Sequence, residues 1–147
     1  MDIIIKKFSE LTNTELYKIL KLRTDIFVVE QNCPYPELDN KDYDSYHLFY
    51  NYNSEPVSYV RIIPKNISFN EISLGRVCTK KDFRREKLSY NLLKEAINFS
   101  EIYLKETRIR ISAQFYLLKF YNLLGFVQVS EVYKEDGIDH IEMYYEK

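Results

Sequence analysis

The sequence has no excess of either charge: 21 Lys and Arg stand against 22 Asp and Glu, for a formal net charge of -1. A chain so balanced has no global basic field to hold a nucleic acid backbone, so nucleic acid is not expected as a partner. Cysteine is scarce as well. Cys33 and Cys78 lie far apart, with neither the spacing of metal ligands nor the pattern of a secreted disulfide framework, and both read as reduced thiols of a cytosolic protein. No apolar run approaches the length of a membrane span and the N-terminus has no signal-peptide core, so the expectation is a cytoplasmic chain without a membrane partner. Internal repeats and low-complexity tracts are absent. Only three glycines occur, and each has a place: Gly125 where a helix cap belongs, Gly137 in a turn, and Gly75 inside a strand pattern, where glycine commonly marks a bulge or the close approach of a ligand.

Apolar residues are plentiful. With 46% hydrophobic and 16% aromatic residues, the 147-residue chain is large enough for a real core and too small for two, so residues 1–147 are read as one domain. Residues 2–8 form a short apolar strand, and Thr12-Asn-Thr-Glu15 has the form of a helix capping box. Leu16, Ile19, Leu20, Arg23, Ile26 and Phe27 then follow three-four spacing, which predicts a helix ending near Val29. Residues 30–39 carry two prolines and little periodicity; such a long loop either covers something or merely crosses the surface. Residues 46–52, 57–63 and 72–79 read as a three-stranded antiparallel meander, its first turn at Asn53-Ser-Glu-Pro56. A long helix follows, then a strand at 108–113, a short helix at 116–124 and strands at 126–133 and 138–145. This order makes the class α+β with a mixed sheet.

The centre of the pattern is residues 70–104, which read as strand, basic loop and helix. Leu88, Leu92, Ala96, Phe99 and Tyr103 give the helix an apolar stripe, and the loop before it carries Lys80, Lys81, Arg84, Arg85 and Lys87. A basic loop feeding the first turn of a helix brings unpaired backbone N–H groups, the positive end of the helix dipole and cationic side chains to one point. That combination suits a phosphate. A solvated charge run that only keeps a turn soluble would show the same residues.

Four stretches carry a family resemblance: Arg23-Thr-Asp-Ile-Phe-Val-Val-Glu-Gln-Asn-Cys-Pro-Tyr35, Gly75-Arg-Val77, Phe120-Tyr-Asn-Leu-Leu-Gly-Phe126, and Glu131-Val-Tyr-Lys-Glu-Asp-Gly-Ile138 with His140 following. With the order of elements, they make nearly the whole chain resemble the GNAT superfamily of acyl-CoA-dependent N-acetyltransferases, and within it the ElaA-like branch. The resemblance implies a GNAT fold, a mixed central β-sheet with helices on both faces, and acetyl-CoA as co-substrate. It implies that Val77, Cys78 and Thr79 meet the pantetheine arm. It also aligns Arg84-Arg-Glu-Lys-Leu-Ser89 with a phosphate loop that normally reads Arg-Gly-x-Gly-x-Gly. Lys87 is usual in the ElaA-like branch, whereas Arg85 and Ser89 depart from it. Glycine lets backbone approach phosphate without a Cβ in the way. Helical backbone needs no glycine, and the N–H groups of Glu86, Lys87, Leu88 and Ser89 are expected to point outward from a first helical turn.

Acetyl transfer needs a neutral amine, a polarised carbonyl and a proton for the departing thiolate. The resemblance places Tyr121 near the sulfur as proton donor; without it Tyr121 would read as a core aromatic. For the base, Glu30 at the mouth of the proline-containing loop and His140 are the candidates, with His47, Glu71 and Glu131 behind them. Each has an alternative as a structural residue. Cys78 shows no neighbouring base, so direct transfer is expected rather than an acyl-enzyme. The reading is an N-acetyltransferase acting on a small-molecule or peptide amine, with homodimerisation left open. Its rival is a non-catalytic GNAT-fold module that binds CoA. The acidic residues Glu37, Asp39, Asp42 and Asp44 in the 31–44 loop hint at a cationic acceptor, or at no more than a solvated loop.

Overall fold

A computed structural model describes residues 1–147. Strands β1 (Ile3–Lys7), β2 (Tyr46–Tyr52), β3 (Glu55–Ile63) and β4 (Ser73–Thr79) form an antiparallel sheet in that order. The expected meander is present, with β1 added against β2 so that Ile5 faces Leu48. Asn53 and Ser54, both with positive φ, make the two-residue turn from β2 to β3, a geometry that matches the strand twist. A second sheet holds β5 (Arg108–Gln114), β6 (Val127–Gln128), β7 (Tyr133–Glu135) and β8 (Ile138–Glu146). Here β8 pairs antiparallel with β5 along one edge and with β6 and β7 along the other. The strand expected over 126–133 is therefore broken. The Ser130 hydroxyl, rather than a backbone carbonyl, accepts the N–H of Glu142 at 2.8 Å, which interrupts the ladder between β6 and β7.

The two sheets meet through a parallel bridge between Ile72 and Ile109, where the Arg110 N–H donates to the Ile72 carbonyl at 3.0 Å. Past that link β4 and β5 diverge, and the outer edge of β4 faces no strand.

Helix α1 (Asn13–Thr24) starts at the expected capping box, where Glu15 N–H donates to the Thr12 hydroxyl and Thr12 N–H to the Glu15 carboxylate. It runs on through a wider π turn to Glu30. Helix α2 (Leu88–Ile102) and helix α3 (Leu118–Leu123) follow. Gly125, at φ 99°, ends α3: its N–H donates to Asn122 and that of Phe126 to Tyr121, the paired bonds that close a helix C-terminus. Strand alternation sends Leu48, Val60 and Ile62 toward Leu92, Leu93 and Ala96 of α2. The intervening Phe49, Tyr59 and Cys78 pack on Ile19, Leu22 and Ile26 of α1, so helices cover both faces.

The α1 face also buries charge. Arg23 on α1 is fully buried, donating to Glu37 at 2.9 Å and to Asp42 at 2.7 Å. Arg61 on β3 bonds Asp39 through both guanidinium ends, at 2.9 and 2.8 Å, and Asp42 at 3.0 Å. Arg76 on β4 reaches Glu37 at 2.6 Å and the Glu37 carbonyl at 2.9 Å. Three arginines thus neutralise three carboxylates and tie the 31–44 loop to the sheet. The acidic residues that hinted at a cationic acceptor are consumed inside the protein, with the exception of exposed Asp44. His47 belongs to the same layer: its ring meets the Tyr59 hydroxyl at 2.6 Å and the Asp42 carbonyl at 3.0 Å, and burial pushes its pKa down.

Removing one member of such a network strands its partners. Arg23→Met leaves Glu37 and Asp42 short of a cation, and a loss of about 3–5 kcal/mol is expected in denaturant unfolding. Burial alone would raise the carboxyls of Asp39 and Asp42, but hydrogen bonds and charge from Arg61, and from Arg23 for Asp42, hold both below the usual range. Folded values below the unfolded value of about 3.9 mean stability that is full above that pH and lost as pH falls through and below it. Acid titration of the melting temperature should show the loss beginning near pH ~4, and Arg61→Met should blunt it.

Candidate active site

Where β4 leaves β5, its ladder with β3 slips. Tyr59 faces Cys78 but Arg61 faces Gly75, so Arg76 and Val77 together span Val60. This is a β-bulge, and the residue in the left-handed region is Arg76, at φ 53°, rather than Gly75. The Arg76 side chain turns to the ionic layer just described, which forms part of the wall of a cavity of about 360 Å³ between the sheets, and Val77 lines the same cavity. Tyr121 from α3 and His140 from β8 line the same cavity, together with Ser112, Gln114 and Glu135. Burial raises the Tyr121 phenol, so it stays protonated. The His140 ring is 6% exposed; its Nδ1 lies 2.8 Å from the Ile138 carbonyl and its Nε2 3.4 Å from a Glu135 oxygen.

A second cavity of about 580 Å³ lies against the start of α2 and is lined by Thr79, Arg84, Arg85, Lys87, Leu88 and Ser89. After a 3-10 turn at Lys81–Phe83, residues 84–87 are not helical, so the first helical turn expected to include Glu86 and Lys87 starts later. Arg85 and Lys87 sit at φ 70° and 60°, and α2 begins only at Leu88. These are left-handed positions where glycine fits without cost, so two side chains hold a conformation that disfavours them. The first N–H bonded within the helix is that of Asn91, to the Lys87 carbonyl, which leaves the N–H groups of Leu88, Ser89 and Tyr90 without helical partners. Ser89 does not face outward alone: its hydroxyl meets that of Thr79 at 2.6 Å, and Thr79 meets Ser58 at 2.8 Å, which pins α2 to the end of β4.

The remaining sequence candidates part company. Cys78 points to the α1 face, where burial pushes its thiol up to about 12. Glu86 is exposed at the loop surface. Glu30 reaches Arg84 at 2.7 and 2.9 Å, and this pairing lowers its pKa, while Arg84 Nε donates to the Thr79 carbonyl at 2.8 Å. Glu71 bonds Arg110 at 3.2 Å, away from the cavity. Arg61 and Ser112 carry no motif in the sequence, whereas Arg76 and Glu135 stand inside two of the family stretches without a role of their own. Arg61 had a signal, as a lone charge in the apolar run from Val57 to Ile63.

A mixed sheet that splays after its fourth strand, with a bulge at the splay and a loop of unpaired N–H groups beside it, is the framework of a GNAT acyltransferase. Residues 23–147 match the family model described as an acetyltransferase (GNAT) domain, and the chain belongs to that family. It is 38% identical to protein ElaA of Escherichia coli strain K12 over 137 residues, which is 92% of this chain and 90% of the relative. The crystal structure of E. coli ElaA superposes with a TM-score of 0.90 at 35% identity, covering 99% of both chains. An acyl-CoA N-acyltransferase from Pseudomonas aeruginosa matches equally well, at TM-score 0.90 and 36% identity over 99% of each chain.

The strained loop makes a testable statement. Arg85→Gly and Lys87→Gly each remove a Cβ from a left-handed position, and each should stabilise the ligand-free protein by up to about 1 kcal/mol in thermal melts. Loss of the cation should at the same time weaken CoA binding modestly and flatten its salt dependence, read by calorimetry at two ionic strengths.

Proposed function

We propose that the protein is an acetyl-CoA-dependent N-acetyltransferase that moves the acetyl group directly to a primary amine. The observation that carries the reading is the meeting of Val77 on the bulged edge of β4, Tyr121 on α3 and His140 on β8 around one cavity. The residues fit the cofactor. The free edge of β4 at Val77 can pair with an amide-bearing arm, while the Thr79 carbonyl already accepts from Arg84, and the N–H groups at the start of α2 with Arg84, Arg85 and Lys87 can receive phosphates. When bound, acetyl-CoA supplies an activated thioester carbonyl. Glu30 fixes Arg84 at the mouth of the phosphate cavity, and that ion pair leaves it a weak base. His140, with one ring nitrogen held by a backbone carbonyl, is the better group to take a proton from an amine. Tyr121, raised by burial above the ordinary phenol value, remains protonated and can donate a hydrogen bond and a proton to the departing sulfur. Cys78, a buried neutral thiol, offers no nucleophile, which favours direct transfer over an acyl-enzyme.

Two measurements test this. Acetyl-CoA at about a hundred times its dissociation constant should add roughly 2.7 kcal/mol to stability, seen as a rise in melting temperature that high salt reduces. No shift with any CoA species would overturn the cofactor reading. In a thiol-release assay against a panel of primary amines, Tyr121→Phe should lower kcat by about 10²-fold and leave the KM for acetyl-CoA nearly unchanged. A parental rate in that variant would return Tyr121 to a packing role.

A further inference from the structure

The run Tyr133-Lys-Glu135-Asp-Gly-Ile138-Asp-His140 folds into a hairpin whose two-residue turn, Asp136-Gly137, has φ 51° and 76°. The register places Tyr133 opposite His140 and Glu135 opposite Ile138, so Glu135 and His140 are diagonal neighbours on one face. Ser112 of β5 lies on that same face, because β5 pairs with β8 through Gln114 opposite His140 and Ser112 opposite Glu142. Contacts follow from this placement. The Ile138 carbonyl lies 2.8 Å from His140 Nδ1 and can only accept, so Nδ1 carries the hydrogen and Nε2 is the basic atom. Glu135 Oε2 lies 3.4 Å from that Nε2. The other carboxylate oxygen, Oε1, accepts from the Ser112 hydroxyl at 3.2 Å, and Ser112 meets the Tyr133 hydroxyl at 2.6 Å. The Tyr133 ring is stacked with the His140 ring at a centroid distance of 6.2 Å. His140 itself is almost sealed, at 6% exposure, while the Glu135 side chain is 50% exposed.

We propose that Glu135 is the positioning residue for His140 and completes an outward proton path from the cavity to solvent. The inference rests on the transferase reading above. Transfer of an acetyl group to an ammonium forms an N–C bond, breaks a C–S bond and takes two protons from nitrogen. One ends on the departing sulfur by way of Tyr121, and the other must reach solvent. His140 Nε2 receives the second proton inside the cavity, the Glu135 carboxylate stabilises the charged ring, and that half-exposed carboxylate passes the proton to water. Ser112 and Tyr133 keep the carboxylate aimed at the ring.

The pairing has a readout that needs neither cofactor nor acceptor. Carbethoxylation by diethyl pyrocarbonate builds positive charge on the attacking imidazole, which an adjacent carboxylate favours. The chain has two histidines, and His47 is fully buried, so peptide mapping by mass spectrometry follows His140, with His140→Gln as the blank. Glu135→Gln keeps shape and removes charge; it should slow modification of His140 about fivefold with an unchanged melting temperature, and Glu135→Asp should restore part of the rate. An equal rate in the wild type and Glu135→Gln overturns the proposal. A fall in rate accompanied by an equal fall in Glu135→Asp and a lower melting temperature also overturns it, as a merely structural role. With an acceptor from the amine panel, Glu135→Gln should lower kcat about tenfold at unchanged KM for acetyl-CoA. If no amine is acetylated the transferase reading fails, while the modification rate still decides the pairing.

Discussion

Three guanidinium groups closed in among three carboxylates are the constraint on which the cavity depends. Arg23 comes from the first helix, Arg61 from the third strand and Arg76 from the bulge in the fourth, whereas Glu37, Asp39 and Asp42 all come from one irregular loop. A buried charge without its partner costs several kcal/mol, so each guanidinium needs its carboxylate, even though the buried Arg61 Nε itself finds no acceptor. The loop has little regular structure of its own, and the ion pairs give it a defined path. That path forms one wall of the cavity. The bulge belongs to the same arrangement, since the slip in register is what lets Arg76 face the acids while Val77 faces the splay.

The second sheet supplies what the first lacks. The fourth strand brings an open backbone edge, and the loop after it brings cations and free N–H groups, but none of these can move a proton. The groups that can, Tyr121 and His140, stand on α3 and β8, across the gap. How far these groups stand from β4 therefore depends on where the sheets part, and the parallel bridge at Ile72 and Ile109 sets that point.

Local features were legible in the sequence. The Thr12 to Glu15 box, the meander and the Gly125 cap each depend on neighbours in the chain and are found where residue type and spacing placed them, while the turn expected over Asn53-Ser-Glu-Pro56 is tighter, at Asn53-Ser54, with β3 already begun at Glu55. Membership of the GNAT family was legible too, because long motifs carry it. What could not be read was conformation against type and pairing across distance. Arg85 and Lys87 adopt left-handed backbone that their side chains disfavour, so nothing in their identity announced it. Gly75 drew attention to the bulge but left the positive φ to its neighbour Arg76. The acids of the 31–44 loop looked solvent-facing because their partners lie 14 to 39 positions away along the chain. Ser130 broke a strand through a hydroxyl contact that alternation alone does not reveal.

Joining two sheets at one point also separates their histories. Changes in the 31–44 loop reshape one wall of the cavity and changes in the 133–140 hairpin reshape the other, and the two touch where Cys33 Sγ donates to the Asp136 carbonyl at 3.4 Å. Selection can then act on either wall, revising what the cavity admits without rebuilding the strands beneath it. A scaffold divided in this way is suited to changing the contents of its cavity while its fold stays constant among distant relatives.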